Sequence, residues 1–329
     1  MKVFHLKEPA DILKLDVERE IERISDFLTG YVNKWRKEGV VVGLSGGVDS
    51  AVVSELLVNS FGSEKVKGLI LPEKESNPIS KKLGIKQAEK LGIEYEVIDI
   101  TPVLEAFGTY ELRDEAVREV FPDYSEDCKI KLVLPEGLLE RYSFNVFSLK
   151  IRYPDGKDEE KRLPKKILNR IIAATDTKQR TRMMALYYHG ESAHRLVVGT
   201  TNRPETIQGF FVRYGDGGVD IEPIAHLYKT QVYQLAEHFG VVREIIERDP
   251  SPDTFSFPVS DEEFFFRIPY HIVDQVLYCW ERGMSSVDAA EITGLKEEQV
   301  ERVYRDISSK FEATKYLREL PPFLLEYEK

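Results

Sequence analysis

The run Ser45-Gly46-Gly47-Val48-Asp49-Ser50 constrains this chain more than any other feature. It follows the apolar stretch Val40-Val41-Val42-Gly43-Leu44 and precedes Ala51-Val52-Val53-Ser54-Glu55-Leu56-Leu57. That context predicts a strand, a tight loop and a helix. Such a loop aims backbone N–H groups and the positive end of a helix dipole at one point, a ready site for phosphate oxygens. It lacks the Gly-Lys-Ser/Thr ending of a Walker loop, which argues against kinase or GTPase chemistry. The plainer reading is a glycine-rich turn in which Asp49 or Ser50 merely caps the helix.

Apolar runs place further strands at 66–71, around 93–100 and at 196–199, with amphipathic helices at 17–35 and about 79–91. Strands alternating with helices predict an α/β fold, a doubly wound parallel sheet with helices on both faces. Ligands of such sheets sit at the carboxyl ends of the strands, where Ser45–Ser50 falls. The pattern breaks between 108 and 174. There, residues 144–153 alternate and Pro154-Asp155-Gly156-Lys157 reads as a turn, so a β-hairpin is expected with a charged, surface-facing return arm. From Asp261 onward the chain reads as helical. The expected organisation is a core of 1–107 and 175–260, an insertion of 108–174, and a helical region of 261–329 packing on the core.

A length of 329 residues suits two units, or one large domain carrying an insertion. The net charge of −11 argues against a general nucleic-acid binder, although local cations can still hold an anionic nucleotide. Residues 286–307 have the apolar spacing of a helix-turn-helix, but its second helix carries four acids against three bases, so a hairpin packed on the core is expected. Cys128 and Cys279 allow neither a disulfide framework nor a cysteine metal site. Met1–Asp16 lacks an apolar core of signal-peptide length and no run reaches a membrane span, so a cytoplasmic location, away from membranes, is expected.

The loop resembles the pyrophosphate loop of the N-type ATP pyrophosphatases. Downstream stand Arg180-Thr181-Arg182-Met183-Met184-Ala185-Leu186-Tyr187, Gly199-Thr200-Thr201-Asn202-Arg203-Pro204-Glu205 and Gly209-Phe210-Phe211-Val212-Arg213-Tyr214-Gly215-Asp216-Gly217-Gly218-Val219-Asp220. Pro223, Leu227-Tyr228-Lys229-Thr230-Gln231-Val232, Pro250-Ser251-Pro252-Asp253 and Asp261-Glu262 follow. In this order the set resembles the ammonia-dependent NAD synthetases over about 1–107 and 175–329. The resemblance implies ATP-dependent amidation of deamido-NAD with ammonia through an acyl-adenylate, releasing AMP and pyrophosphate.

By that resemblance Leu44, Ser45, Gly46, Gly47, Val48, Ser50, Thr200, Lys229 and Ser251 bind ATP, and Asp49, Lys229 and Thr200 serve catalysis. Asp49 and Glu205 match the carboxylates for Mg²⁺, oxygen donors suited to a hard cation. Tyr31, Lys178, Arg180, Tyr187, Phe210, Asp216 and Asp220 match the substrate positions. A homodimer is implied, with no nucleic-acid partner. No glutaminase domain is present, so glutamine could serve only through a separate glutaminase.

Three departures from the family pattern stand out. Asp176-Thr177-Lys178-Gln179-Arg180 replaces Asn-x-x-Ala-Arg, placing an acid that Lys178 or Arg170 would have to compensate. Phe264-Phe265-Phe266-Arg267 replaces the usual Leu-Gly, with one residue added. The insertion, roughly 40 residues beyond a typical connection, is too long for a neutral loop. Other readings remain open: an amidoligase adenylating a different acid, a tRNA sulfurtransferase, and a DNA-binding regulator. The last two want a site cysteine and a basic helix, which no motif supplies.

Overall fold

The computed structural model describes residues 10–142 and 144–324; the first nine residues of the stretch read above as lacking a signal lie outside them. The elements in order are α1 (Val17–Lys34), β1 (Gly39–Gly43), α2 (Val48–Phe61), β2 (Val66–Ile70), α3 (Pro78–Leu91), β3 (Glu94–Val97), α4 (Thr101–Phe107) and α5 (Thr109–Arg118). Then come β4 (Lys129–Val133), β5 (Ser148–Arg152), β6 (Asp158–Arg162), α6 (Lys165–Ser192), β7 (Arg195–Val198) and α7 (Arg203–Gln208). The remainder is α8 (Lys229–His238), α9 (Arg243–Ile246), α10 (Tyr270–Glu281), α11 (Ser286–Thr293) and α12 (Glu297–Ala313).

Four strands form a parallel sheet in the order β3-β2-β1-β7. Val40, Val41 and Val42 are buried, as a strand covered on both faces requires. Helix α2 is apolar nearly all round and is correspondingly buried from Val48 to Leu57. From β1 the chain steps outward through β2 and β3, then returns to the other side of β1 as β7. The sheet therefore reverses direction between β1 and β7, and a crevice opens beyond their carboxyl ends. Val42 pairs with Val198, so the loops after the two strands start side by side.

The expected hairpin is present, with Tyr153 N–H donating to the Lys157 carbonyl at 2.9 Å, but β5 begins only at Ser148. A third strand, β4, pairs antiparallel with β5 and completes a separate small sheet in the order β4-β5-β6. One face of this sheet packs Ile130, Leu132, Leu149 and Ile151 against Phe121, Ile167, Ile171 and Phe255. Helix α6 runs unbroken through 174–175, where the core was expected to resume.

The described residues after 261 are helical for the most part, up to Arg318, with Val276, Leu277, Val300, Val303 and Ile307 packing onto Ile207 and Tyr228. The helix-turn-helix candidate is thus a packed hairpin, and Arg302 of α12 donates to the Leu138 carbonyl at 3.2 Å. The residue apparently added near Phe264–Phe266 is absorbed in a single widened π turn, Glu262–Phe266, closed by Arg267 at φ +68°. Both cysteines are buried and free.

Candidate active site

The 45–50 loop turns sharply at Gly46, whose φ is +75° and where a Cβ would lie 2.4 Å from the Ser80 carbonyl oxygen. Only glycine meets both demands. Ser45 and Ser50 hydroxyls meet at 3.0 Å, and Ser50 Oγ also donates to the Gly47 carbonyl at 3.0 Å. Helix α2 starts at Gly47 with no side-chain cap, so neither Asp49 nor Ser50 serves as one. Its first-turn N–H groups face the crevice with the dipole behind them. Leu44 and Val48 are buried and contribute backbone there.

Lys229, Asp49 and Glu205 come together at the crevice. Lys229 is only 2 % exposed, its Nζ bonds Asp49 Oδ2, and it lies 4.0 Å from Glu205 Oε1. Burial opposes the ammonium charge, yet Asp49, Glu205 and Asp261 hold its pKa above the ordinary lysine range. Glu205 is pushed well upward by burial and by Asp49, with Lys229 pulling the other way. Burial raises Asp261 to about 6, and Tyr270 donates to it at 2.9 Å. A buried lysine at the first position of α8 sits unfavourably in the helix dipole, and these acids offset that.

Two residues that sequence reasoning did not single out assemble this cluster. Asn202 Nδ2 donates to Asp49 Oδ1 at 3.1 Å and its Oδ1 accepts the Glu205 N–H at 3.2 Å, while Glu205 Oε2 accepts the Asn202 N–H at 3.1 Å. This capping box locks the two loops to each other. Glu222 sits beneath, accepting from Thr201 N–H at 3.1 Å and Thr201 Oγ1 at 3.0 Å. A Cβ on Gly199 would meet the Glu222 carboxylate at 2.3 Å, so Gly199 makes room for it. Thr200, between them, is half-buried at the crevice.

The other expected residues divide. Tyr187 donates to Asp220 Oδ1 at 3.1 Å, and Asp220 Oδ2 accepts the Val197 N–H at 2.8 Å. Asp216 Oδ1 accepts the Val212 N–H at 2.8 Å and shapes that loop. Arg180 is exposed and lies 3.5 Å from Asp176, so Arg180 is the compensating cation. The expectation that Lys178 or Arg170 compensates is corrected. Arg170 pairs with Glu119, and Lys178 is buried against Glu73, Glu75 and the Thr254 carbonyl. Phe210 stacks on Phe265 at 4.6 Å. Tyr31 packs between Phe27 and Trp35 on α1. Ser251 is exposed, with its Oγ accepting the Asp253 N–H at 3.3 Å.

With this geometry in place the chain can be compared with known proteins. It belongs to the NAD synthase family, whose model matches residues 20–127 and 138–321. The match enters the 108–174 segment and so extends beyond the 1–107 and 175–329 resemblance. An NH(3)-dependent NAD(+) synthetase of Mesorhizobium japonicum is 47% identical over 96% of this chain and 99% of its own. One from Thermotoga maritima is 37% identical over 88% of this chain and 99% of its own. Among solved structures, an NH3-dependent NAD synthetase from Campylobacter jejuni superposes with a TM-score of 0.62 at 22% identity, covering 94% of this chain and all (100%) of its own. An NMN synthetase from Francisella tularensis superposes at 0.65 and 21% identity over 95% of this chain and 100% of its own. The two structural likenesses establish the fold. The chain is an enzyme of the ligase class.

Glu222 generates a prediction about stability. Burial lifts its pKa from the ordinary carboxylate value of 4.5 to about 8, against the pull of the Thr201 hydrogen bonds. Between those values the folded protein binds a proton that the unfolded chain does not. Stability from this group is therefore full below about pH 4.5 and falls as pH rises through about 8, at up to about 1.4 kcal/mol per pH unit. Glu222→Gln should flatten the decline between about pH 5 and 8. Denaturant melts of the ligand-free protein across that range check this; parallel wild-type and variant curves would refute it.

Proposed function

We propose that this enzyme makes NAD from deamido-NAD, ammonia and ATP through an acyl-adenylate. The observation that carries the reading is the Lys229–Asp49–Glu205 cluster, tied by Asn202 to an uncapped helix N-terminus at the sheet's switch point. Family membership and the identity to named NAD synthetases over nearly the whole chain support it.

Amide formation needs a better leaving group than oxide. The nicotinate carboxylate oxygen attacks the α-phosphorus of ATP, the bond to the β-phosphate oxygen breaks, and pyrophosphate leaves. Ammonia then attacks the acyl carbon, AMP departs, and one proton is released. The N–H groups of the Gly46–Ser50 loop and the Lys229 ammonium stabilise negative charge on the departing pyrophosphate. Thr200 lies where the adenylate would sit, and Ser251 offers a hydroxyl to the phosphates. Tyr187, Asp220 and Arg180 line the substrate side. Asp216 contributes through the loop it fixes. Phe210 and Tyr31 supply aromatic walls.

The donor set fits Mg²⁺. Asp49 and Glu205 both approach the Lys229 ammonium, Glu205 Oε1 at 4.0 Å, which sets two carboxyl groups side by side at the crevice, and no cluster of three or more His, Cys, Asp or Glu able to hold an ion unaided occurs among the described residues. Two carboxylates completed by phosphate oxygens and water is how this ion is commonly bound. When bound, Mg²⁺ would supply Lewis-acid neutralisation of the phosphates. Exposed Phe27 and Trp35 beside Tyr31, and Met184 and Tyr188 beside Tyr187, support a homodimer through α1 and α6. No described helix is long and apolar enough to cross a membrane, which accords with a cytoplasmic enzyme. Free ammonia, or a separate glutaminase, would supply nitrogen.

Purified enzyme given ATP, ammonium and deamido-NAD should form NAD with equimolar AMP and pyrophosphate. ADP with orthophosphate would overturn the reading, and adenylation of another acid in preference to deamido-NAD would favour a related amidoligase. Glu205→Gln should lower kcat about 10²–10³-fold at saturating Mg²⁺. A near-normal kcat would reduce Glu205 to a capping residue.

Asp176 tests the substrate. Burial lifts its pKa to about 6 while Arg180 pulls it down, so it is largely ionised above neutrality. At about 4 Å from a phosphate it would repel by roughly 4 kcal/mol at an effective dielectric of 20. Asp176→Asn should leave KM for deamido-NAD unchanged or lower it at pH 8. A higher KM would show that the Asp176–Arg180 pair itself orients the substrate.

A further inference from the structure

The inserted segment reaches the site through a buried ion network. Lys178 of α6, 1 % exposed, donates to Glu73 Oε1 at 2.9 Å, Glu75 Oε2 at 2.7 Å and the Thr254 carbonyl at 2.9 Å. Arg113 of α5 donates to the same Glu75 Oε2 at 2.6 Å and to Asp114 at 2.8 Å. Tyr110 donates to Glu73 Oε2 at 2.7 Å. One lysine thereby holds the loop after β2 and the backbone of the segment that follows Ser251, and α5 braces it from behind.

The 251–263 segment is fixed along its length. Asp253, held at φ +48°, accepts from Asn77 N–H at 3.0 Å and Ser80 Oγ at 2.6 Å. Phe257 N–H donates to the Ile130 carbonyl of β4 at 3.0 Å, and Ile130 N–H donates to Ser256 Oγ at 3.1 Å. Further on, Leu134 N–H bonds the Glu263 carbonyl at 3.0 Å and Lys131 pairs with Glu263 at 2.9 Å. Phe255 and Val259 are buried in the small sheet's core. Ser251 stands at the head of this segment and Asp261 near its end. A cavity of about 990 Å³ beside the inserted segment is bordered by Ser251, Asp253, Asn77, Tyr110 and Arg113, so Ser251 and members of the network line one cavity.

We propose that Lys178 is a positioning residue, and that with Arg113 and β4 of the insertion it clamps the 73–78 loop and the 251–257 segment in the arrangement that presents Ser251 to the nucleotide. The insertion thus serves the reaction by ordering a site segment before ATP arrives. This rests on the proposed adenylation for what Ser251 contacts, but the clamp itself can be read without turnover. A segment held in its binding conformation spares the nucleotide the work of ordering it. If the competent fraction falls, the apparent Kd rises by its inverse.

Glu75→Gln is the informative change. It removes the acceptor charge shared by Lys178 and Arg113, while Glu73 and Asp114 remain to balance both cations. Ser256→Ala is a milder second variant that removes only the bond from Ile130. In ligand-free Glu75→Gln protein, amide hydrogen exchange at 251–257 should quicken about tenfold, and ATP should bind about five- to tenfold more weakly. Activity at saturating ATP and KM for deamido-NAD should move less than about twofold. Ser256→Ala should shift the same amides in the same direction by less, and it carries the test if Glu75→Gln fails to fold. Unchanged exchange at 251–257 in both variants, or a loss of kcat with ATP affinity unmoved, would overturn the clamp. Wild-type enzyme that binds ATP but makes no NAD would overturn the proposed reaction and leave the exchange result standing.

Discussion

Everything at the crevice depends on the charge of Lys229. Three carboxyl groups, Asp49, Glu205 and Asp261, surround one buried ammonium and hold its pKa above the ordinary lysine range against the cost of burial. The lysine begins α8, Asp49 lies in the first turn of α2, Glu205 in the first turn of α7, and Asp261 enters the π turn. Four elements that share no sequence neighbourhood are therefore registered by one cation. Burial, with a smaller contribution from the Asp49 charge, pushes Glu205 and Asp261 upward, and Lys229 pulls both back.

The core was legible because its physics is local. Val40–Val42 and Leu196–Val198 are uniformly apolar strands, and the glycines between strand and helix mark the turn, so the loop at the carboxyl end of β1 followed from the pattern. Asn202 and Glu222 were not legible as site residues, since each acts through partners more than 20 residues away or on another loop. For Glu222 one signal existed: an acid between Ile221 and Pro223 in a run that pairs beside β7. The partner of Asp176 could have been read from helical spacing. On a helix, residues 176 and 180 share a face, whereas 178 points to the other side. That spacing already selects Arg180 as the partner of Asp176 and sends Lys178 inward.

The insertion shows where periodicity runs out. The hairpin turn at Pro154–Lys157 was visible, yet β4 was not, because its partner β5 and its backbone contact with Phe257 lie far along the chain. Nor could sequence locate the boundary near 174, since α6 carries inserted-segment contacts at Ile167 and Ile171 and site-facing residues at Arg180 and Tyr187 on one continuous rod. A rigid helix joining the two parts transmits position between them, which a flexible linker would not.

The overall charge then bears on how an anionic nucleotide reaches an acidic surface. A net charge of −11 repels nucleotides at long range, but ions in solution screen that field beyond about 8 Å at physiological strength. Inside that distance local groups decide. Lys229 lies at the base of the crevice, Arg248 donates to the Gly46 carbonyl at 3.4 Å beside the loop, and Arg182 is anchored to the Leu71 carbonyl at 3.0 Å. These cations are fixed by protein contacts before a ligand arrives, so their field is oriented without reorganisation. Surface acidity and phosphate recognition are compatible here because they act at different ranges.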